Sequence, residues 1–224
     1  MIEWEQPGYV VAFTSRVGGV SDGVYTSLNL SAGTGDDRLH VEENRRRACA
    51  ALDLDSARLS FNRQVHSAVV NRAGGRGTPG DGLWTDEPGR PILAFAADCL
   101  PIAIARTDGE RRLAVVHAGW RGLGQGVVEA AVAAVGGATA AAVGPAIGPC
   151  CYEVGDEVVS SFDEDLTVDR HLDLWRAAER ALLRAGVSTV ERTDLCTRCH
   201  PELFFSHRRS GRARGVQGVL GAVA

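Results

Sequence analysis

There is no lysine in this chain of 224 residues; all 24 basic side chains are arginine. That absence excludes Schiff-base catalysis and a phosphate-binding loop built on a lysine. Net charge is -4, so no basic field exists to recruit nucleic acid, and none is expected as a partner. No apolar run reaches the length of a membrane span, and Met1-Ile2-Glu3-Trp4-Glu5-Gln6-Pro7 lacks the basic and apolar regions of a secretory signal. A cytoplasmic protein without a membrane partner is the expectation. Neither repeats nor low-complexity linkers interrupt the chain, so residues 1–224 read as one domain.

What is present is an ordinary globular composition, 45% apolar and 23% charged, with six cysteines. In a cytosolic chain these cysteines point to free thiols, metal or catalysis before a disulfide frame. The most informative stretch is Ala97 to Gly122. Two apolar runs, Leu100–Ala105 and Leu113–Ala118, flank Arg106-Thr107-Asp108-Gly109-Glu110, and Asp-Gly between such runs signals a hairpin. With Asp108 and Gly109 as a two-residue turn, Cys99 faces Ala118 and Leu100 faces His117. A shift of one residue makes Cys99 and His117 direct partners, with Cβ atoms roughly 5 Å apart. Either way a thiol and an imidazole meet at the open end of the hairpin.

A third donor is supplied by His66, with Asn62 and Gln64 as polar neighbours. One Cys and two His leave the fourth tetrahedral position open, the pattern of a catalytic zinc, and zinc lowers the pKa of bound water towards about 7. Asp98 stands ready to orient a ligand or take a proton. A non-catalytic metal or redox-thiol protein is the alternative from another class; it needs a fourth ligand such as Cys150 or Cys196. Cys196-Thr197-Arg198-Cys199-His200 has the haem-attachment spacing, but covalent haem requires export. No second ligand pair for this C-x-x-C is evident in the sequence. Zinc-deaminase order also fails, because His200-Pro201-Glu202 follows the C-x-x-C instead of preceding it.

Along the chain, Tyr9–Phe13, residues 68–71, Pro91–Ala97, Ala140–Val143, Thr189–Arg192 and Leu203–Ser206 read as strands. Residues 74–82 read as a flexible loop. Helices are expected from Asp36 or Asp37 to about Leu52, over Val127–Val135, up to Phe162, and over Asp169–Ala185 with Gly186 as C-cap. Glu42 to Arg47 reads as a solvated charged face. Strands outnumber helices irregularly, which favours an α+β fold with mixed or antiparallel sheets.

Phe13-Thr14-Ser15-Arg16, Ser27-Leu28-Asn29-Leu30, Glu43-Asn44-Arg45, Gln64-Val65-His66, Ala97-Asp98-Cys99-Leu100-Pro101, His117-Ala118-Gly119-Trp120-Arg121-Gly122, Gly144 to Val154 and Phe204-Phe205-Ser206-His207-Arg208-Arg209 together resemble the bacterial YfiH family. That family has been called multicopper polyphenol oxidase, laccase-domain protein and purine nucleoside phosphorylase. The resemblance implies packed sheets with helices outside, a cysteine-hydrolase-like architecture, and a zinc-type site at His66, Cys99 and His117. It implies phosphorolysis of adenosine, inosine and guanosine together with adenosine deamination. Some relatives are associated instead with an amidase that edits a cell-wall (peptidoglycan) precursor. Arg45, Arg121 and Arg208 are candidates for a phosphate clamp, and Asn29 and Gln64 for further substrate contacts. Asp81-Gly82-Leu83-Trp84-Thr85 departs from the family's usual Asp-Ala-Leu-Val-Thr and places an indole near the expected pocket. Gly211-Arg212-Ala213-Arg214-Gly215 departs where Thr-Gly-Arg is usual.

Copper remains a second candidate metal through the polyphenol oxidase name, yet a true multicopper laccase is not expected. Type 1 copper favours an axial Met, and the only methionine is Met1. Six histidines fall short of the roughly ten imidazoles that a type 1 centre plus a trinuclear cluster would take.

Overall fold

The computed structural model describes residues 1–224. Its strands are β1 Ile2–Glu3, β2 Tyr9–Phe13, β3 Ser60–Arg63, β4 Val70–Arg72, β5 Arg76–Pro79, β6 Gly82–Thr85, β7 Ile92–Ala96, β8 Leu100–Arg106, β9 Arg112–Ala118, β10 Ala140–Val143, β11 Thr167–Val168, β12 His171–Leu172, β13 Thr189–Arg192 and β14 Gln217–Val223. The helices are α1 Arg38–Ala50, α2 Trp120–Gly124, α3 Val127–Ala134, α4 Asp156–Val159, α5 Leu174–Arg184 and α6 His207–Ser210. None is long and apolar enough to cross a membrane.

Two six-stranded mixed sheets form, in the orders β1-β2-β14-β7-β3-β5 and β13-β10-β8-β9-β6-β4. They pack face to face, and the alternation of each strand shows how. Ile92 and Ala94 of β7, Ala103 and Ala105 of β8, Leu113 and Val115 of β9, and Ala140 and Ala142 of β10 join Val11, Phe13 and Val219 between the sheets. The opposite faces are covered by helices. Ile102, Ile104, Ala114 and Val116 lie under α3 and α5, whereas Leu93, Phe95 and Leu220 lie under α1. Strands β7, β8, β9, β10 and β14 are therefore buried on both faces, which is why β8 and β9 are apolar over Leu100–Ala105 and Leu113–Val116. Alanines on the inner face let the two sheets approach. The α+β expectation with helices outside is met.

Several boundaries differ from the sequence reading. The helix expected from Asp169 starts at Leu174, because Asp169 and Arg170 take positive φ in the β11–β12 turn and Asp173 caps Arg176 N. Leu172 accordingly sits in a strand. Residues 74–82 are not a plain loop: β5 pairs parallel with β3. Leu203–Ser206 forms no strand; Phe204 and Phe205 are buried in an extended approach to α6. The segment before Phe162 gives only the single turn of α4. Helix α1 is capped as expected, Asp37 accepting from Leu39 N at 2.7 Å, but it ends at Ala50.

Candidate active site

The hairpin turn spans five residues, Thr107 to Arg111, centred on Gly109 at φ 75°. A longer turn moves the register: Leu100 pairs with Ala118 and Pro101 with His117, correcting both pairings considered from the sequence. Strand alternation still places Cys99, two residues before Pro101, diagonally beside His117 on the inner face. The donor atoms of His66, Cys99 and His117 lie within 4.8 Å of one another. The two imidazoles meet edge to face, with ring centroids 4.9 Å apart. His117 is buried, Cys99 half-buried and His66 exposed, so the cluster opens to solvent on the His66 side.

Asp81 organises this cluster, and sequence reasoning missed it. Its side chain is fully buried at the start of β6. Oδ1 accepts from His66 N at 3.0 Å and meets His117 Nδ1 at 2.9 Å. Oδ2 accepts from Val65 N, Ser67 N and Ser67 Oγ. Three successive backbone N–H groups converging on a carboxylate hold His66 at φ 60°, in the left-handed region. An ionised carboxylate only accepts, so His117 carries its proton on Nδ1 and leaves Nε2 for the cluster. The motif Asp81-Gly82-Leu83-Trp84-Thr85 was the available signal, read for Trp84 instead. Trp84 in fact packs on the helix-covered face, with Arg72 and Arg112 over its ring.

The electrostatics follow from these contacts. Burial alone would raise the Cys99 thiol, but the charge and hydrogen bonds of His117 and His66 outweigh it and hold Cys99 at about 6. Burial opposes a charge on His117 too, yet Cys99 and Asp81 lift it to about 9. Asp81 is held well below the ordinary carboxylate range: burial pushes it up, and His117 and Ser67 more than offset that. A Cβ on Gly119 would stand 2.9 Å from Cys99 Sγ, so this position must stay bare for the thiol to sit where it does.

The other sequence candidates divide into two groups. Asp98, at φ 89°, spends its carboxylate on Thr197 Oγ1 at 2.6 Å, Ser206 Oγ at 3.1 Å and Arg208 N at 2.6 Å. It ties the C-terminal segment beside Cys99. Gln64 pairs with both backbone groups of Phe95, extending the β3–β7 ladder. Asn29 is buried and hydrogen-bonded to Ser31, Thr34, Asp36 and Val216. Arg45 is buried too, with Nε on Leu30 O, Nη1 on Glu42, and its guanidinium 4.2 Å above the Phe61 ring. Asn44 donates to Ser21 Oγ and Asn29 O, so the face read as solvated is partly a packing surface.

Arg121 and Arg208 are exposed, stacked on Trp120 and Tyr152 respectively. The Tyr152 hydroxyl is pushed up to about 12, first by burial and then by Cys99, and it lies in the field of Arg208, Asp98 and Arg121. Arg214, within the irregular tail motif, is a further cation: burial lowers its proton affinity, and Asp98 and Cys99 act against that. Its Nε is buried without a partner. Two open hollows, one along α5 and one between Pro149-Cys150 and the β11–β12 turn, are lined by none of His66, Cys99 and His117.

The family model described as multi-copper polyphenol oxidoreductase laccase matches residues 10–223. The protein named purine nucleoside phosphorylase YfiH of Escherichia coli is 38% identical over 224 residues, covering 92% of this chain and 91% of that one. Among solved structures, YlmD from Geobacillus stearothermophilus superposes with a TM-score of 0.87 at 33% identity, covering 97% of this chain and 93% of the other. Neisseria meningitidis NMB0706 gives 0.86 at 31% identity, covering 97% and 95%.

Proposed function

Because the chain belongs to the family described as multi-copper polyphenol oxidoreductase laccase, with relatives named purine nucleoside phosphorylase, we propose that it cleaves purine nucleosides with phosphate at a metal held by His66, Cys99 and His117. The observation that carries this is the convergence of one thiolate and two imidazoles at a solvent-open end, with Asp81 fixing the second nitrogen of His117. That donor set fits zinc, with one coordination position left for a ligand. What zinc supplies when bound is Lewis acidity and a lowered pKa for water.

The chain's own residues do the rest. Asp81 holds the Nδ1 proton of His117 throughout. Arg121, Arg208 and Arg214 supply the positive charge that phosphate needs, replacing Arg45, whose guanidinium is committed to packing. The Trp120 and Tyr152 rings, half-buried against the core, position Arg121 and Arg208 by stacking. In phosphorolysis a phosphate oxygen bonds to the anomeric carbon as the bond from that carbon to the purine nitrogen breaks. The electron pair leaves with the base, which takes up a proton. Adenosine deamination at the same site replaces the C6 amino group by water oxygen and releases ammonia.

Incubating the protein with inosine or adenosine, with and without phosphate, and separating the products tests this reading. Phosphate-dependent release of free base, abolished in His117→Ala, is the expected result. Cleavage of a muramyl-amino-acid conjugate with no nucleoside turnover would overturn it in favour of the amidase. Phenol oxidation with dioxygen uptake on copper loading would favour the oxidase.

A further inference from the structure

A second set of sulfur atoms, separate from the cluster above, comes together on the far side of Asp98. Cys150 and Cys151 lie in the loop after β10, and Cys196 and Cys199 bracket the turn after β13. The two loops run side by side: Ala146 N donates to Leu195 O, Thr197 N donates to Ala146 O, and Ala146 and Cys196 form a parallel bridge. This juxtaposition supplies the second ligand pair that the sequence alone did not reveal for the C-x-x-C motif.

All four Sγ atoms lie within 4.8 Å of one another. Cys199 Sγ is 3.7 Å from Cys150 Sγ and 3.4 Å from Cys151 Sγ. Four thiolates around one zinc, with bonds of about 2.3 Å, stand about 3.8 Å apart at the corners of a tetrahedron. A disulfide instead brings two sulfurs to about 2.05 Å. Two N–H donors already point at the sulfurs: Gly148 N at 3.3 Å from Cys196 Sγ, and Arg198 Nη1 at 3.4 Å from Cys151 Sγ. Such contacts orient thiolate ligands and offset their charge.

We propose that Cys150, Cys151, Cys196 and Cys199 hold a structural zinc ion, distinct from the one assigned to His66, Cys99 and His117. Four protein sulfurs close the coordination sphere, so this ion takes no substrate. Binding releases the thiol protons to solvent and leaves a net negative centre beside Arg198. The ion clasps two loops that both grip Asp98. Ile147 N donates to Asp98 O at 2.9 Å, and Thr197, inside the C-x-x-C turn, donates to its carboxylate. Arg209 extends the grip through Thr197 O and Arg198 O. The clasp thereby fixes the wall next to Cys99 through Asp98.

Metal analysis of protein purified under reducing conditions should find about two zinc ions per chain. Cys99→Ser should retain about one, and Cys150→Ser or Cys199→Ser should likewise lose about one. Cobalt loaded into Cys99→Ser should show thiolate charge-transfer bands and the intense visible bands of a tetrahedral all-sulfur site, both abolished by adding Cys199→Ser. If clasp variants fail to fold, the metal count and cobalt spectrum of Cys99→Ser decide alone. A Cys99→Ser protein that binds no metal, or a Cys151–Cys199 disulfide found by mass spectrometry in reductant-purified protein, overturns the proposal. Neither outcome depends on phosphorolysis.

Discussion

Replacing Asp81 by Asn keeps the shape of the side chain and removes the charge on which five hydrogen bonds converge. An amide has one acceptor oxygen, so its NH2 must face donors whichever way it turns. The orientation that retains Val65 N, Ser67 N and Ser67 Oγ sets the NH2 against His66 N–H and His117 Nδ1. The imidazole escapes by moving its proton to Nε2, which removes that nitrogen from ligation; the backbone N–H of His66 has no such escape. An orphaned buried donor and a lost charged acceptor together cost about 2–5 kcal/mol of stability. Misorienting His117 should weaken zinc binding about 10–100-fold. Because the native carboxyl titrates below its ordinary range, its stabilisation is complete above about pH 4 and is lost on acidification. The Asn variant should therefore show a flatter acid limb. Urea unfolding of the metal-free proteins across pH, and zinc competition against a chelating dye, measure both effects. Stability within about 0.5 kcal/mol of the parent, with zinc affinity unchanged, would refute the assignment.

Gly119→Ala introduces a methyl group 2.9 Å from Cys99 Sγ; zinc affinity should fall about tenfold or more at nearly unchanged stability, and parental affinity would refute the close-packing argument. Arg45→Ala should lose about 2–4 kcal/mol in urea unfolding yet leave the KM for phosphate unchanged, whereas Arg208→Ala should raise that KM; the reverse pattern refutes the division of the arginines. Burial pushes the Cys49 thiol up to about 11, so between about pH 9 and pH 11 the unfolded chain loses a proton that the native one keeps, and stability falls as pH rises. Cys49→Ala should flatten that alkaline decline, checked by unfolding at each pH.

The hairpin, its doubly buried strands and its pairing of a thiol with an imidazole were legible because they depend on neighbouring sequence. Register was not, since the five-residue turn around Gly109 differs from a two-residue turn only in geometry. Asp81 was hidden for a different reason: its partners Val65 to Ser67 and His117 are brought to it by two separate strand pairings. Charge misled at Arg45, because a guanidinium covered by Phe61 looks the same in sequence as one in water. The four clustered cysteines required loops about fifty residues apart to meet, which the β10–β13 pairing and the Ala146–Cys196 bridge beyond it bring about.

Strand β14 lies between β2 and β7, pairing Val219 with Phe13 and with Ala94. At about 5–20 residues per second, β2 waits about 10–40 s during synthesis for the neighbour that completes it. Until then its apolar faces and open edge need shelter, and the first sheet cannot close. The second sheet has no such wait for its β8–β9 core, and His66, Asp81, Cys99 and His117 all precede Gly119. A nascent chain thus contains His66, Asp81, Cys99 and His117 well before Arg208 and Arg214 are made. The ribosome delivers last the two C-terminal arginines proposed to draw phosphate.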